Sequence, residues 1–280
     1  MKIIRVPEAT REQPQLAAGD ICFVDYSHPG GPAVRNRVIF DCYALSFVQH
    51  GQKRIFLAEG QTILTPGFGL LIPSGNSIIA EHSGITEPYQ SFVVFFPGQL
   101  GRDFLAAKPA ESVAKTAIPY SYFKCNTYLR EYVRQLRSLI LDRQQITVEM
   151  ARLKVQELLT AMFELAPGIL RAMFSNEGNP SLKKLVENNL LNPLTLEELA
   201  FLANRSLSSF KRDFEKAYGL PPQRYIRDRR LEMAATDLTR GKLASEIYQQ
   251  YGYEYLANFT TAFKRKFGVT PADWSFRNKI

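Results

Sequence analysis

The chain has 280 residues, 45% hydrophobic and 22% charged, the proportions of a globular protein long enough to bury two cores. Its longest apolar runs, such as "FVVFF" at 92–96, are too short to cross a bilayer, and the start, "MKIIRVPEATREQ", meets Pro7 and two acidic residues before any apolar stretch, so no membrane span or signal peptide is expected. The formal net charge of +8 is uneven: residues 181–280 hold 17 Lys+Arg against 11 Asp+Glu, so the last third is the part suited to a polyanionic partner.

Residues of about 20–100 are rich in Val, Ile, Phe and Tyr in short runs ("RVIFDCYALSFVQ", "KRIFLA", "GLLIP", "SIIAEH", "QSFVVFF"). Breaks such as "HPGGP", "HGQ", "TPGFG" and "PSGN" recur at strand-plus-turn spacing, which predicts an antiparallel β-barrel or sandwich. Aromatic residues on these strands (Tyr43, Phe47, Phe56, Tyr89 and Phe92) are expected in the core, and no ligand-binding residue is assigned. Cys22, Cys42 and Cys125 are odd in number and scattered, which suits a reducing cytoplasm and argues against disulfides or a zinc site.

Two amphipathic helices are predicted over about 126–165. Leu129, Val133, Leu136 and Ile140 form the stripe of the first, and Val148, Ala151, Val155, Leu158 and Met162 that of the second. Such a hairpin can cover the barrel or, with part of its apolar surface, form a dimer seam. "APGILRAMFSNEGNP" then breaks the pattern, giving a regulatory or dimerisation domain at 1–170, a linker at 171–181 and a helical domain at 182–280.

In "LTLEEL", Thr195 is placed to cap a helix and Glu198, three residues on, to bond back, with Leu194 and Leu199 as a hydrophobic staple. That helix should stop near Asn204, and Ser206 can cap the next. The second helix should end at Tyr218, because Gly219 suits a left-handed C′ position and Pro221 and Pro222 follow. Phe210, Phe214, Ala217 and Tyr218 share one face of it; Ser208, Lys211, Arg212 and Glu215 line the other. Two short helices, a tight turn and a basic outer face make a helix-turn-helix, which places its second helix in the DNA major groove.

The same skeleton returns 49 residues later: Phe210, Phe214, Tyr218, Gly219, Pro222 and Tyr225 fall on Phe259, Phe263, Phe267, Gly268, Pro271 and Trp274. The outer face of this copy is Ala257, Thr260, Thr261 and Lys264, and Gly252, in register with Ala203, makes its turn. "PPQRYIRDRRLEMAATDL" between the copies reads as one long connecting helix. Two motifs held by a rigid connector can enter successive major-groove segments, about 34 Å apart.

These residues carry a resemblance. "TLEELAFLANRSLSSFKRDFEKAYGLPPQRYIRDRRLEMAATDL" and "YGYEYLANFTTAFKRKFGVTPADW" resemble the DNA-binding domain of the AraC/XylS family of bacterial transcription regulators. The resemblance implies a seven-helix bipartite domain with recognition helices beginning near Ser206 and Tyr255. The base-reading positions it implies are Ser208, Lys211 and Arg212 in the first motif and Leu256, Ala257 and Thr261 in the second. Thr261 departs from the family, in which Arg is common there. Lys264, Arg265 and Lys266 follow as candidate phosphate ligands. More loosely, the first two-thirds is similar to the family's cupin-like regulatory domain, and "RLKVQELLTAMF" to the subgroup of type III secretion activators.

The expected protein is thus a two-domain α+β transcription regulator, an activator by resemblance, with a cupin-like barrel and helical hairpin before an all-α double helix-turn-helix domain. Its implied partners are double-stranded DNA, a second copy of itself, RNA polymerase, and a small-molecule or protein effector. It would work in the bacterial cytoplasm on the nucleoid. The alternative is a metal-dependent cupin enzyme fused to a helical module. That chemistry needs several His and a carboxylate converging. The chain has three His (His28, His50 and His82), no H-x-H pair, and Ile78 where a second cupin motif would carry its ligand. No phosphate loop or nucleophile elbow is present, so no cofactor, metal or catalytic residue is expected.

Overall fold

A computed structural model describes residues 3–30, 34–83, 87–109, 122–175 and 181–277. The chain divides into two compact units, Met1–Asn179 and Pro180–Ile280.

Among its described residues the first unit holds eleven strands: β1 (Ile3–Val6), β2 (Gln15–Ala18), β3 (Ile21–His28), β4 (Val34–Phe40), β5 (Tyr43–His50), β6 (Gln52–Leu57), β7 (Gly60–Leu64), β8 (Phe68–Ile72), β9 (Gly75–His82), β10 (Tyr89–Phe96) and, after helix α1 (Gly98–Ala106), β11 (Tyr122–Lys124). Helices α2 (Thr127–Leu141), α3 (Val148–Leu165) and α4 (Pro167–Ser175) follow. The strands form two sheets, in the orders β1-β4-β9-β6-β7 and β11-β8-β5-β10-β3-β2. The expected closed barrel is therefore corrected to two sheets, each keeping its own edge strands. The pairing is also not wholly antiparallel, since β1 runs parallel to β4 with Ile4 opposite Val38.

One apolar cluster fills the space between the sheets, with Val24, Ile55, Ile79, Val93 and Phe95 among its members. A second joins the far face of the six-stranded sheet to the helices: Phe23, Phe47, Phe92 and Val94 against Leu129, Leu136, Val155 and Leu158. Strand β10 lies in the middle layer, which is why "FVVFF" is apolar without alternation.

The stripe Leu129, Val133, Leu136 and Ile140 is therefore spent inside the chain, 0–7% exposed, and is not a free dimer seam. Asn126 and Thr147 cap α2 and α3, accepting from the Leu129 and Met150 amides. Arg137 fastens α2 to β3 through Asp25 (3.0 Å).

The expected linker at 171–181 is also too long. Its first residues belong to α4, whose Phe174 packs on Tyr43 and directly over Gly101 of α1, where a Cβ would stand 2.2 Å from the ring. At its far end Ser181 caps α5, and the rest of the stretch, 176–180, lies outside the described residues.

The second unit is helical: α5 (Leu182–Asn188), α6 (Leu196–Leu202), α7 (Leu207–Tyr218), α8 (Pro222–Thr239), α9 (Ala244–Ile247), α10 (Leu256–Phe267) and α11 (Pro271–Arg277). Among the described residues these seven helices make the second unit the all-α domain expected.

Candidate nucleic-acid interface

The repeat seen in the sequence is a repeated packing unit. In α7, Phe210 and Phe214 are fully buried with ring centroids 6.0 Å apart; in α10, Phe259 and Phe263 are buried 5.8 Å apart. Tyr225 of α8 meets Phe214 edge-on at 5.4 Å, and Trp274 of α11 meets Phe263 likewise at 5.8 Å. Gly219 (φ +71°) and Gly268 (φ +78°) end the two helices in the left-handed conformation, their amides donating to Glu215 and Lys264. Truncating any of these four phenylalanines to alanine would cost about 3–5 kcal/mol, so the aromatic face is what fixes each helix.

The helices before the turns repeat with a different offset. Thr195 and Glu198 form the expected capping box on α6, and the Glu246 carboxylate accepts from the Leu243 amide at the start of α9 (3.0 Å). After α6, Ala203, Asn204 and Arg205 donate to Leu199, Phe201 and Ala200; after α9, Tyr251, Gly252 and Tyr253 donate to Ile247, Gln249 and Tyr248. The two sets match at a shift of 48, not 49. Gly252 (φ +83°) does make the second turn, but its counterpart is Asn204 (φ +53°) and not Ala203. The second turn carries one extra residue before α10, which accounts for the change of register.

With the aromatic faces fixed, the opposite faces are decided. Ser208, Lys211, Arg212 and Glu215 are exposed on α7, and Leu256, Ala257, Thr261, Lys264 and Arg265 on α10. Thr260 is half-buried. Arg212 is 73% exposed and leans on Asp213 (3.2 Å), which also takes Arg205. Lys266 is set apart from its neighbours: it donates to Glu232 of α8 at 2.9 Å and its side chain is 21% exposed. Adjacency in the sequence does not show which of Lys264, Arg265 and Lys266 turns inward.

That contact is one end of a chain across the unit. Arg229 of α8 bonds Glu187 of α5 (2.9 Å) and Glu232 (2.6 Å), and Glu232 holds Lys266 of α10. The Tyr225 hydroxyl donates to Glu187. Burial and that carboxylate push the Tyr225 hydroxyl up to about 12. Burial opposes ionisation of Glu187, but Arg229 and Tyr225 outweigh it and hold the carboxyl below its usual range.

The first unit has a concave site that sequence reasoning did not find. A cavity of about 430 Å³ opens between the sheets, walled by Val38, Phe40, Ile79 and Phe95 and by Lys53 and Glu81. Lys53 is 4% exposed and bonds Ser46 (3.0 Å) and Glu81 (3.2 Å). His28 lies 3.5 Å from Glu81 and stacks on Tyr89 at 5.2 Å. Its hydrogen bond to Glu81 raises the His28 pKa despite burial. Burial works against the Glu81 charge, yet Lys53 and His28 hold its pKa below the ordinary value. No local pattern in "QKRIFL" marks Lys53 as inward. His50 pairs with Glu87 at the surface and His82 is exposed. Among the described residues no group of three His, Cys, Asp or Glu side chains converges to hold a metal, and no helix is long and apolar enough to cross a membrane.

Comparison with known proteins adds to this geometry. The family described as "Helix-turn-helix domain" matches residues 199–277, and the "ExsA N-terminal regulatory domain" matches residues 43–170. The XylDLEGF operon transcriptional activator 3 of Pseudomonas putida is 27% identical over 98% of this chain and 84% of its own. The XylDLEGF operon transcriptional activator 2 of the same organism is 33% identical over 39% of this chain and 78% of its own. The thermoregulatory protein LcrF of Yersinia pestis is 26% identical over 80% and 89%. Among solved structures, an apo form of ToxT from Vibrio cholerae aligns over 92% of this chain and 98% of its own at 12% identity and a TM-score of 0.43.

Proposed function

Because the chain belongs to the AraC/XylS family of bacterial transcription regulators, we propose that α7 and α10 enter successive major-groove segments of one duplex and that the protein activates transcription from there. It is a DNA-binding transcription regulator with an N-terminal regulatory unit. One observation carries the reading: a duplicated aromatic scaffold presents two helices whose outward faces each carry exposed basic residues, Lys211 and Arg212 on α7 and Lys264 and Arg265 on α10.

On this reading Ser208, Lys211 and Arg212 meet base edges from α7, and Leu256, Ala257 and Thr261 from α10. Lys264 and Arg265 hold phosphates. Lys266 contributes mainly through Glu232. The two Pseudomonas putida relatives are named as transcriptional activators, which supports activation through RNA polymerase in the bacterial cytoplasm and an absence of enzymatic activity. The cavity between the sheets, with Lys53, His28 and Glu81 on its wall, supports a small-molecule effector over a partner protein. Exposed Met150 (46%) and Leu153 (57%) on the outer side of α3 support homodimerisation there, in place of the buried stripe.

The experiment is selection of duplexes from random DNA by the full-length protein at low salt, followed by a salt titration. One two-part sequence should be enriched, and affinity should fall steeply with salt as bound cations are released from phosphates. Absence of any enriched sequence would refute the reading.

A further inference from the structure

Arg230, near the middle of α8, touches both halves of the second unit: the segment leading into the first motif and the turn of the second. Its Nε donates to the Leu190 carbonyl (2.6 Å) and its Nη2 to the Asn192 carbonyl (3.4 Å), both in the segment that joins α5 to α6. The other edge of the guanidinium lies against Gly252 in the turn of the second motif, where a Cβ would stand 2.5 Å from Nη1. Gly252 suits the site by its φ of +83°, and a side chain there would have to displace the arginine. Leu190 and Asn192 are 4% and 7% exposed, so the acceptors belong to a packed segment and not to a loose loop. A planar fork with several donors can span two carbonyls and still lie flat against a backbone turn; a lysine, with one compact ammonium, cannot.

A second link runs between the same halves, from Glu187 of α5 through Arg229 and Glu232 of α8 to Lys266 of α10. Two motifs on one chain reinforce each other only when their separation and angle fit the two half-sites, because only then is the second binding event intramolecular. We infer that Arg230, assisted by the Arg229 chain, is a positioning residue that sets the geometry between the two helix-turn-helix motifs and so selects the spacing of the half-sites. It acts through protein contacts alone. The inference rests on the proposed DNA reading.

The probes are the duplex that wild-type full-length protein enriches from random DNA, the same duplex with one base pair inserted between its halves, and a version with the second half scrambled. Arg230→Lys should bind the intact duplex about tenfold more weakly and the half-scrambled duplex within about twofold of wild type. Its penalty for the insertion should be smaller than that of wild type. Glu232→Gln, which leaves Arg230 in place and removes the charge between Arg229 and Lys266, should shift all three measurements the same way by less. If circular dichroism and melting show Arg230→Lys unfolded, Glu232→Gln decides. Equal losses on intact and scrambled duplexes, or an unchanged insertion penalty in a folded variant, overturn the inference. Failure of the wild type to enrich any duplex overturns the DNA reading instead.

Discussion

Replacing Arg212 by alanine separates reading DNA from holding it. The side chain is 73% exposed and its contact with Asp213 is a surface pair, worth about 0.2–1 kcal/mol. Asp213 keeps Arg205 when Arg212 is removed, so no charge is stranded and stability should change by no more than about 1 kcal/mol. On DNA, an arginine gripping guanine O6 and N7 with two bonds discriminates by about 1–3 kcal/mol, roughly 5- to 150-fold. Arg212→Ala should therefore weaken the best site by that factor and relax preference at one or two base positions. Lys264→Ala should instead weaken all sequences about equally and reduce the salt slope by about one unit. Lys266→Ala should reduce the slope by less than about half as much, because its ammonium is already engaged by Glu232. Binding-site selection and salt titrations on the three variants read these effects. If Arg212→Ala selects the wild-type sequence, or Lys264→Ala alters it more than Arg212→Ala does, the division between base-reading and phosphate-holding residues is wrong.

A fragment of residues 181–280 should fold alone and bind DNA at low salt, since α4 packs with the first unit; a fragment that melts without cooperativity would show that the boundary is misplaced. Leu136→Asp puts a carboxylate where the side chain is 0% exposed and should destabilise residues 1–175 by about 3 kcal/mol or more in urea unfolding. Leu153→Asp should leave that stability near wild type and weaken self-association in sedimentation, whereas a wild-type fragment that stays monomeric at high concentration removes the dimer. Glu81 raises the His28 pKa, so the contribution of this pair is full below the unfolded value of about 6.5 and fades as pH rises through the raised folded value. The melting-temperature advantage of wild type over His28→Gln should thus be larger near about pH 5.5 than near about pH 8.5, and Glu81, whose own contribution is lost only in acid, stays constant between them. An advantage that grows with pH would contradict the assignment.

The second unit was largely legible because its signals are local. Caps at Thr195 and Ser206, left-handed glycines at 219 and 268 and Phe pairs four residues apart each act within a turn or two of helix. The faces of α7 and α10 then follow from 3.6-residue periodicity. The register of the turns did not follow, since an inserted residue before α10 shifts Gly252 onto Asn204 only when backbone angles are known. The short strands β1 and β11 and the helices α1 and α4 are not legible in the sequence because each is ordered by a distant neighbour, as β1 is by β4 and Phe174 by Gly101.

By itself the sequence determined two domains, a strand-rich first and a helical second, and two outward-facing helices built on one repeated skeleton. Only the tertiary structure decided that the strands form two sheets and not a barrel, and that the α2 stripe is covered by the chain's own sheet. It alone turned Lys53 into a cavity wall and Lys266 toward Glu232, and set Arg230 between the motifs. The physical reason is range. Helix caps, turns and amphipathic faces are interactions between residues a few positions apart, so they are written in contiguous sequence. Strand partners, coverage of an apolar face and the partner of a buried charge join residues tens of positions apart, and are settled only when the whole core closes.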